Sequence, residues 1–346
     1  MSDYDYANAR LRALKSALFD ARTYAELTQL HRLDDLIARL ARTSYAREVE
    51  AALARYVGPR VVMEACRVHL AYTYRHIQSF FAEDGARLAA ILLARWDLFN
   101  VKAIVRGQAA HAAPEAILET LTPAGRLDEA ALRTLVRQGD AMATLDLLRM
   151  WDPGWGQAAR AARASFETTR DWSTVEAALD WAFYAQLLAK LRPGAANDEL
   201  VRELLAREID AANALAALRL RGTAAATSRD VRGRFLPGGT LPLSWLGGLA
   251  NAERDEEALA ALRGSRFGPA LARADKLSVG AIEDLLDRDL ARFGVSFFNR
   301  DPLTIATAIG YVTAKRVEAA NLRLIAQGLA LEIAPAEIAQ ALIVVG

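Results

Sequence analysis

The side chains with spacing suited to chemistry are three carboxylate–asparagine pairs, in each of which an acid precedes an Asn by three residues. The pairs are Asp97 with Asn100, Asp210 with Asn213, and Glu318 with Asn321. On a helix, side chains three residues apart lie on one face and reach each other. One interpretation is a metal or acid–base site. The simpler one is structural, with the Asn amide donating to the carboxylate or bridging to a neighbouring helix.

A third position accompanies each pair, six residues after the Asn, and holds a side chain rich in hydrogen-bonding groups. These residues are Arg106, Arg219 and Gln327. The three sets are remote in sequence and none has a His or Cys close by, which favours a structural framework over a metal site. We expect no cofactor, metal or catalytic residue among them.

The histidines and the single cysteine are weaker candidates. His69 and His76 are seven residues apart, whereas helical metal ligands usually stand three or four apart. Cys66 lies among apolar neighbours, which favours a buried structural thiol over a nucleophile. A lone cysteine also excludes a disulfide framework within the chain. We find no Gly-x-Ser-x-Gly, Walker or dinucleotide glycine pattern.

The elements that hold these residues are predicted to be helices. Ala, Leu and Arg dominate the chain and favour helix, and alternating strand patterns are scarce. One helix is expected from about residue 86 to 106, with Leu88, Trp96 and Phe99 in its apolar stripe. Another should begin at Asp301–Pro302, as N-cap and first helical residue, and end at Gly328. The sequence therefore predicts an all-α fold.

The carboxylate–asparagine sets recur at near-constant spacing, with Asn100, Asn213 and Asn321 standing roughly 110 residues apart. Other landmarks keep similar offsets: Pro123–Gly125 matches Pro237–Gly239, Leu40–Tyr45 resembles Leu262–Phe267, and Glu64, Glu176 and Glu283 precede the successive asparagines by nearly equal intervals. We interpret the chain as three diverged copies of one helical unit, 1–112, 113–224 and 225–346. Three such lobes can close around a pseudo-threefold axis as a funnel, although an open array would use the same repeats.

Length, charge and apolar content argue against several classes of protein. The 346 residues exceed what one hydrophobic core usually supports, so two or three domains are expected. A formal net charge of +1, from 43 basic and 42 acidic residues, argues against a protein held on nucleic acid or anionic lipid by bulk charge. No apolar run reaches the roughly 20 residues needed to span a bilayer, and the polar N-terminus is no secretory signal. The basic string Arg229–Arg234 is interpreted as a solvated loop or a partner contact.

Three stretches together resemble a known family. The segment Trp96–Arg106 looks like the signature helix of the C subunit of bacterial V-type and archaeal A-type ATPases (ATP synthases), the counterpart of the eukaryotic d subunit. The opening Tyr6–Arg12 and the stretch from Asp301 to Ile325 are similar to that family as well. The match spans nearly the whole chain and includes the threefold repeat.

The resemblance implies a role without a catalytic site. It implies a funnel-like socket of three helical lobes that receives the D and F subunits of the central stalk, sits on the proteolipid rotor ring, and transmits torque. The chain would lie peripherally at the cytoplasmic face of the membrane, without inserting into it or binding nucleic acid, and would be monomeric when isolated. Lobe three departs from lobe one, with Glu318 and Gln327 for its Asp and Arg. Two rivals stay open: a helical-repeat interaction scaffold, and an all-helical enzyme with an unrecognised site.

Overall fold

The structure is a computed structural model that describes residues 4–151, 153–223, 232–272 and 278–345. Within these ranges every regular element is helical and no strand occurs, which confirms the all-α prediction. Among the described helices, none combines the length with the apolar character that a bilayer-spanning segment requires. Part of the basic string, 229–231, lies outside the described residues.

The α-helices are numbered in chain order. They are α1 (Asp5–Lys15), α2 (Ala21–Thr28), α3 (Leu33–Leu40), α4 (Ala46–Leu53), α5 (Pro59–Gln78), α6 (Glu83–Ala109), α7 (Pro114–Thr120), α8 (Glu129–Val136), α9 (Ala141–Trp151), α10 (Pro153–Thr169), α11 (Trp172–Ala189), α12 (Ala196–Leu220), α13 (Leu243–Asn251), α14 (Asp255–Arg263), α15 (Gly268–Leu271), α16 (Val279–Ser296), α17 (Ala306–Ala330) and α18 (Pro335–Ala341). Short 3-10 helices occupy Arg232–Arg234 and Phe297–Asn299.

The chain divides into two compact units. The first comprises Met1–Asp97, Thr122–Asp128 and Gly294–Gly346, and the second comprises Leu98–Leu121 and Glu129–Phe293. Two of the boundaries between the units fall inside helices: one lies between residues 97 and 98 in α6, and the other between residues 293 and 294 in α16. Helices α17 and α18 therefore belong to the same compact unit as the first 97 residues.

The central helix of the first unit is α17, which packs against α1, α3, α5 and α18. Its residues Ile309, Leu322 and Ile325 are almost fully buried, and each such side chain contributes roughly 1.5–3 kcal/mol by leaving water. Polar groups fix its position: the Tyr74 hydroxyl of α5 donates to the Val312 carbonyl at 2.7 Å. The Asn8 amide of α1 donates to the carbonyls just before α17.

The second unit contains one continuous hydrophobic cluster between α12 and α16. Its largest members, Phe235 and Phe267, are almost completely buried among leucines of α13 and α14. In the part of the chain before α12, helix α10 packs against both α9 and α11. There the Trp155 and Phe183 rings lie 5.6 Å apart, in an aromatic contact that joins α10 to α11.

The start of α17 differs from the prediction. Asp301 is not the N-cap; its carboxylate accepts the Leu303 N–H at 2.9 Å and closes a turn, and α17 begins only at Ala306. The short Asp side chain accepts a hydrogen bond from the backbone two residues later. This local turn competes with the start of a helix at Asp301.

The end of α17 also differs, because Gly328 lies inside the helix. The chain turns at Glu332, which takes a positive φ of 55°. A Cβ on Gly328 would lie 2.6 Å from Ile338, so the glycine is what allows α18 to pack closely. The end of α6 repeats this arrangement: a Cβ on Gly107 would lie 2.6 Å from Ile117 of α7.

Candidate functional site: the acid–asparagine framework

Asp97 is a buried acid that anchors a loop. Its two carboxylate oxygens accept the backbone N–H groups of Arg126 and Leu127, each at 2.9 Å. A Cβ built on Gly125 would lie 2.2 Å from an Asp97 oxygen, so only glycine lets the loop come this close. Asp97 thereby fixes the segment that leads into α8.

Asp210 on α12 makes the same contact with the segment before α13. It accepts the N–H groups of Thr240 and Leu241 at 2.7 and 3.0 Å, and the Thr240 hydroxyl at 2.6 Å. A Cβ on Gly239 would lie 2.4 Å from its carboxylate. The guanidinium of Arg266 completes the set at 2.7 Å. The Pro-x-Gly landmark thus marks a loop that approaches a buried carboxylate in both copies.

Glu318 on α17 anchors a segment near the chain's beginning. It accepts the Phe19 N–H at 2.7 Å, the Tyr45 hydroxyl at 2.7 Å and the Lys315 ammonium at 2.6 Å. The Lys315 and Glu318 side chains are 3% and 2% exposed, so this is a fully desolvated ion pair. Phe19 lies just before α2, and no glycine precedes it. The extra methylene of Glu relative to Asp supplies additional reach at this position.

Asn213 and Asn321 bind backbone groups of segments farther along the chain. Asn213 exchanges two hydrogen bonds with Leu236, donating to its carbonyl at 3.0 Å and accepting its N–H at 2.7 Å. Asn321 makes the same reciprocal pair with Ile343, at 2.9 and 3.0 Å. Asn100 is completely buried. The amides of Asn213 and Asn321 therefore each mimic a strand partner for an irregular segment farther along the chain.

The third position forms ion pairs in two of the three sets. Arg106 binds Glu176 of α11 through two bonds of 2.9 and 2.6 Å, and Arg219 binds Glu283 of α16 at 2.8 Å. In each case the repeat alignment assigns the glutamate to the copy that follows the arginine. Gln327 is exposed.

The corresponding glutamate of the first copy is paired locally. Glu64 binds Arg67 on its own helix through two bonds of 2.7 Å. The third set has Gln327 where the other two sets have an arginine. Glu64, which would be the partner of an arginine there, is instead neutralised by Arg67, one turn along α5.

Sequence reasoning missed the cation that precedes two of the three acids, Asp210 and Glu318, by one turn. Lys315 lies 4.5 Å from the Tyr45 ring centre, and Arg207 lies 5.3 Å from that of Phe267. The resemblance of Leu40–Tyr45 to Leu262–Phe267 was the available signal, because it makes these two aromatic rings equivalent.

Burial acts on the pKa values of His69, Cys66 and Glu176. Burial, assisted by the charge of Lys315, lowers the pKa of His69 to about 3, and its Nδ1 lies 3.2 Å from the Glu48 carboxylate. Burial raises the pKa of Cys66 to about 12, which leaves an unreactive thiol at neutral pH. Burial raises the pKa of Glu176, but the bonds from Arg106 and the charge of Lys102 outweigh it and hold that pKa below its usual value.

The framework can hold loops but is poorly suited to catalysis. The oxygens of Asp97, Asp210 and Glu318 accept bonds from fixed protein donors, so these carboxylates are occupied by structure. Across the described ranges, no group of three or more His, Cys, Asp or Glu side chains is placed to hold a metal ion.

Comparison with known proteins decides the family. The family model described as "ATP synthase (C/AC39) subunit" matches residues 7–341. The chain belongs to the ATP synthase C/AC39 subunit family. The resemblance of Trp96–Arg106 and the accompanying segments to that family is thereby confirmed, and the family is a structural ATP synthase subunit that is not catalytic by itself.

Curated relatives of the C/AC39 family align over nearly the full chain. The A-type ATP synthase C subunit of Halorubrum lacusprofundi is 30% identical, over 99% of this chain and 98% of the relative. That of Haloferax volcanii is 31% identical, over 94% and 93%. The V-type ATP synthase C subunit of Deinococcus radiodurans is 26% identical, over 94% and 87%.

Proposed function

We propose that this C/AC39 chain is a non-catalytic coupling subunit of a rotary ATPase. It links the D and F subunits of the central stalk to the membrane proteolipid ring and transmits torque for ATP-coupled proton or sodium transport. It is peripheral, at the cytoplasmic face of the membrane, and monomeric when isolated. Family membership over residues 7–341 carries the proposal.

The proposed architecture is a socket of three helical lobes, 1–112, 113–224 and 225–346. Its support is the order of the acid contacts. Asp97 and Asp210 each hold the segment that opens the next copy. Glu318, in the last copy, holds Phe19, which lies between α1 and α2 of the first copy. A cyclic arrangement requires the last copy to bind the first, whereas an open array leaves its end copies unpaired.

A torque coupler needs stiff helices and specific protein contacts rather than a reactive site. Desolvated carboxylates that hold neighbouring segments, with the Lys315–Glu318 pair almost free of solvent, suit that requirement.

Co-purification tests the proposal. An affinity tag on this chain, in membranes of its own organism, should recover stalk subunits and ring proteolipid together. Recovery of the soluble chain alone, or of partners that include no ATPase subunit, would contradict it and favour a helical-repeat scaffold.

A further inference from the structure

One of three helices aligned by the repeat differs in charge. The alignment of Glu64, Glu176 and Glu283 makes α5, α11 and α16 equivalent. Helix α5 carries three arginines and one acid, whereas α11 carries two acids with no Lys or Arg, and α16 carries four acids and two arginines. The chain as a whole is nearly neutral, with a formal charge of +1. The basic character of α5 is therefore local and occurs once in the repeat.

The solvent-facing side of α5 and its flanks form a cationic and aromatic surface, which we call the α5 strip. It consists of Arg10, Arg47, Val68, Tyr72, Arg75 and His76. The Arg47 guanidinium lies 5.8 Å from the Tyr72 ring centre, and the Tyr72 and His76 rings stack 5.9 Å apart with 13° between their planes. The His76 ring in turn contacts the Phe80 ring at 4.7 Å, and Arg10 lies 5.3 Å from that same ring. The strip is thus continuous from α4 to α1.

The strip is exposed to solvent, and its arginines form no ion pair among the described residues. Tyr72 is 48% exposed and Val68 is 37% exposed. Among the described residues, Arg10, Arg47 and Arg75 contact aromatic rings or a backbone carbonyl, and none of them pairs with a carboxylate. Ring contacts restrict the guanidinium groups of Arg10 and Arg47, which lowers the entropy cost of binding an anionic partner.

We propose that the α5 strip is the docking surface for an acidic helical segment of the central stalk, an inference that rests on the proposed function. Val68, Tyr72 and His76 follow at intervals of four residues along about 12 Å of helix, so the surface fits an elongated segment. Arginine and tyrosine are among the residue types enriched where binding energy concentrates at protein interfaces. The cations flanking the rings select carboxylates on the partner.

The stalk is favoured over the ring by symmetry. A ring of identical proteolipids offers no unique rotational position, whereas a single stalk seated in a socket of three similar lobes must be fixed by a feature that occurs once. The arginines of the α5 strip are such a feature, because the glutamates aligned on α11 and α16 are each bound by an arginine of the preceding copy.

The test compares full-length variants in two binding assays. The first titrates the purified stalk subcomplex of the D and F subunits, and the second uses ring-containing membranes stripped of their soluble sector. The strip variants are Arg47→Glu/Arg75→Glu and Tyr72→Ala. The matched control is Arg137→Glu/Arg160→Glu, which reverses two exposed arginines, one just after α8 and one on α10. Unchanged thermal melts establish that each variant is folded.

The strip reversal is expected to weaken stalk binding at least tenfold and to flatten its dependence on ionic strength, while membrane binding and the control variant stay within twofold of wild type. Equal stalk binding by wild type and reversal overturns the inference and leaves the proposed function intact. Loss of membrane binding in place of stalk binding also overturns it. Wild-type chain that binds neither stalk nor membranes contradicts the proposed function itself.

Discussion

The Glu318 carboxylate accepts the backbone N–H of Phe19 at 2.7 Å, across 299 residues of sequence. The same carboxylate holds the Lys315 ammonium at 2.6 Å in a site almost closed to water. A single buried side chain therefore ties the last long helix to the first segment of the chain.

Replacing Glu318 with Gln should destabilise the protein by about 3–5 kcal/mol, because the Lys315 charge would remain buried without its partner. The paired change Lys315→Met/Glu318→Gln should recover much of that loss. Urea unfolding of wild type, both single variants and the double variant measures the coupling. Additive losses in this cycle would mean that the two charges do not depend on each other.

The two loop glycines next to the buried aspartates should not tolerate a methyl group. Gly125→Ala and Gly239→Ala place a Cβ against the carboxylates of Asp97 and Asp210, and each should cost about 1–3 kcal/mol through displacement of the loop. Gly280→Ala is the control: nothing lies within 4 Å of its Cβ in α16, so it should stabilise by up to about 1 kcal/mol. Thermal unfolding of the three variants measures these effects. Equal melting temperatures would refute the idea that Gly125 and Gly239 are required next to the buried carboxylates.

Acid should destabilise the protein through His69. Its pKa of about 3 in the folded state lies below the ordinary value of about 6.5 in the unfolded chain. The unfolded state therefore binds the proton first as pH falls below about 6.5, and the stability due to neutral His69 decreases from there towards pH 3. Between pH 7 and 5 the loss should be about 2 kcal/mol.

His69→Phe should remove that component of the pH dependence, whereas a change at the exposed His31, such as His31→Asn, should leave it in place. Urea midpoints at pH 7, 6 and 5 provide the comparison. Parallel pH profiles for wild type and His69→Phe would contradict the assignment.

Asn321→Ala should release the C-terminal segment. The substitution leaves the N–H and carbonyl of Ile343 without their amide partner, which costs about 1–3 kcal/mol. Hydrogen exchange should speed up at residues 342–345 before it does in the interior of α17. Protection that falls uniformly over the first unit would instead show that Asn321 acts on global stability.

Helical periodicity and breakers predicted the elements well, but not their environments. The helix expected from 86 to 106 lies within α6 at Glu83–Ala109, and Leu88 is fully buried. Phe99, assigned to the same apolar stripe, is 51% exposed. In a helix of about seven turns, the apolar face alone does not determine which side chains are buried, because burial depends on contacts with helices distant in sequence.

The repeat could be found from residue spacing, but its physical cause could not. Pro123–Gly125 and Pro237–Gly239 align by offset, yet only the three-dimensional structure reveals that Gly125 and Gly239 make room for carboxylates on the preceding long helices. The asparagines were expected to bind their neighbouring acid or a helix, whereas Asn213 and Asn321 bind backbone in irregular segments. Such segments carry no periodicity from which a partner could be inferred.

ATP-driven ion uptake in membrane vesicles, measured together with ATP hydrolysis, tests the coupling role most directly. In vesicles from cells lacking this chain, hydrolysis by the soluble sector should continue while proton or sodium uptake is lost, and added wild-type chain should restore uptake. Uptake that proceeds at the wild-type rate without the chain would contradict the coupling role.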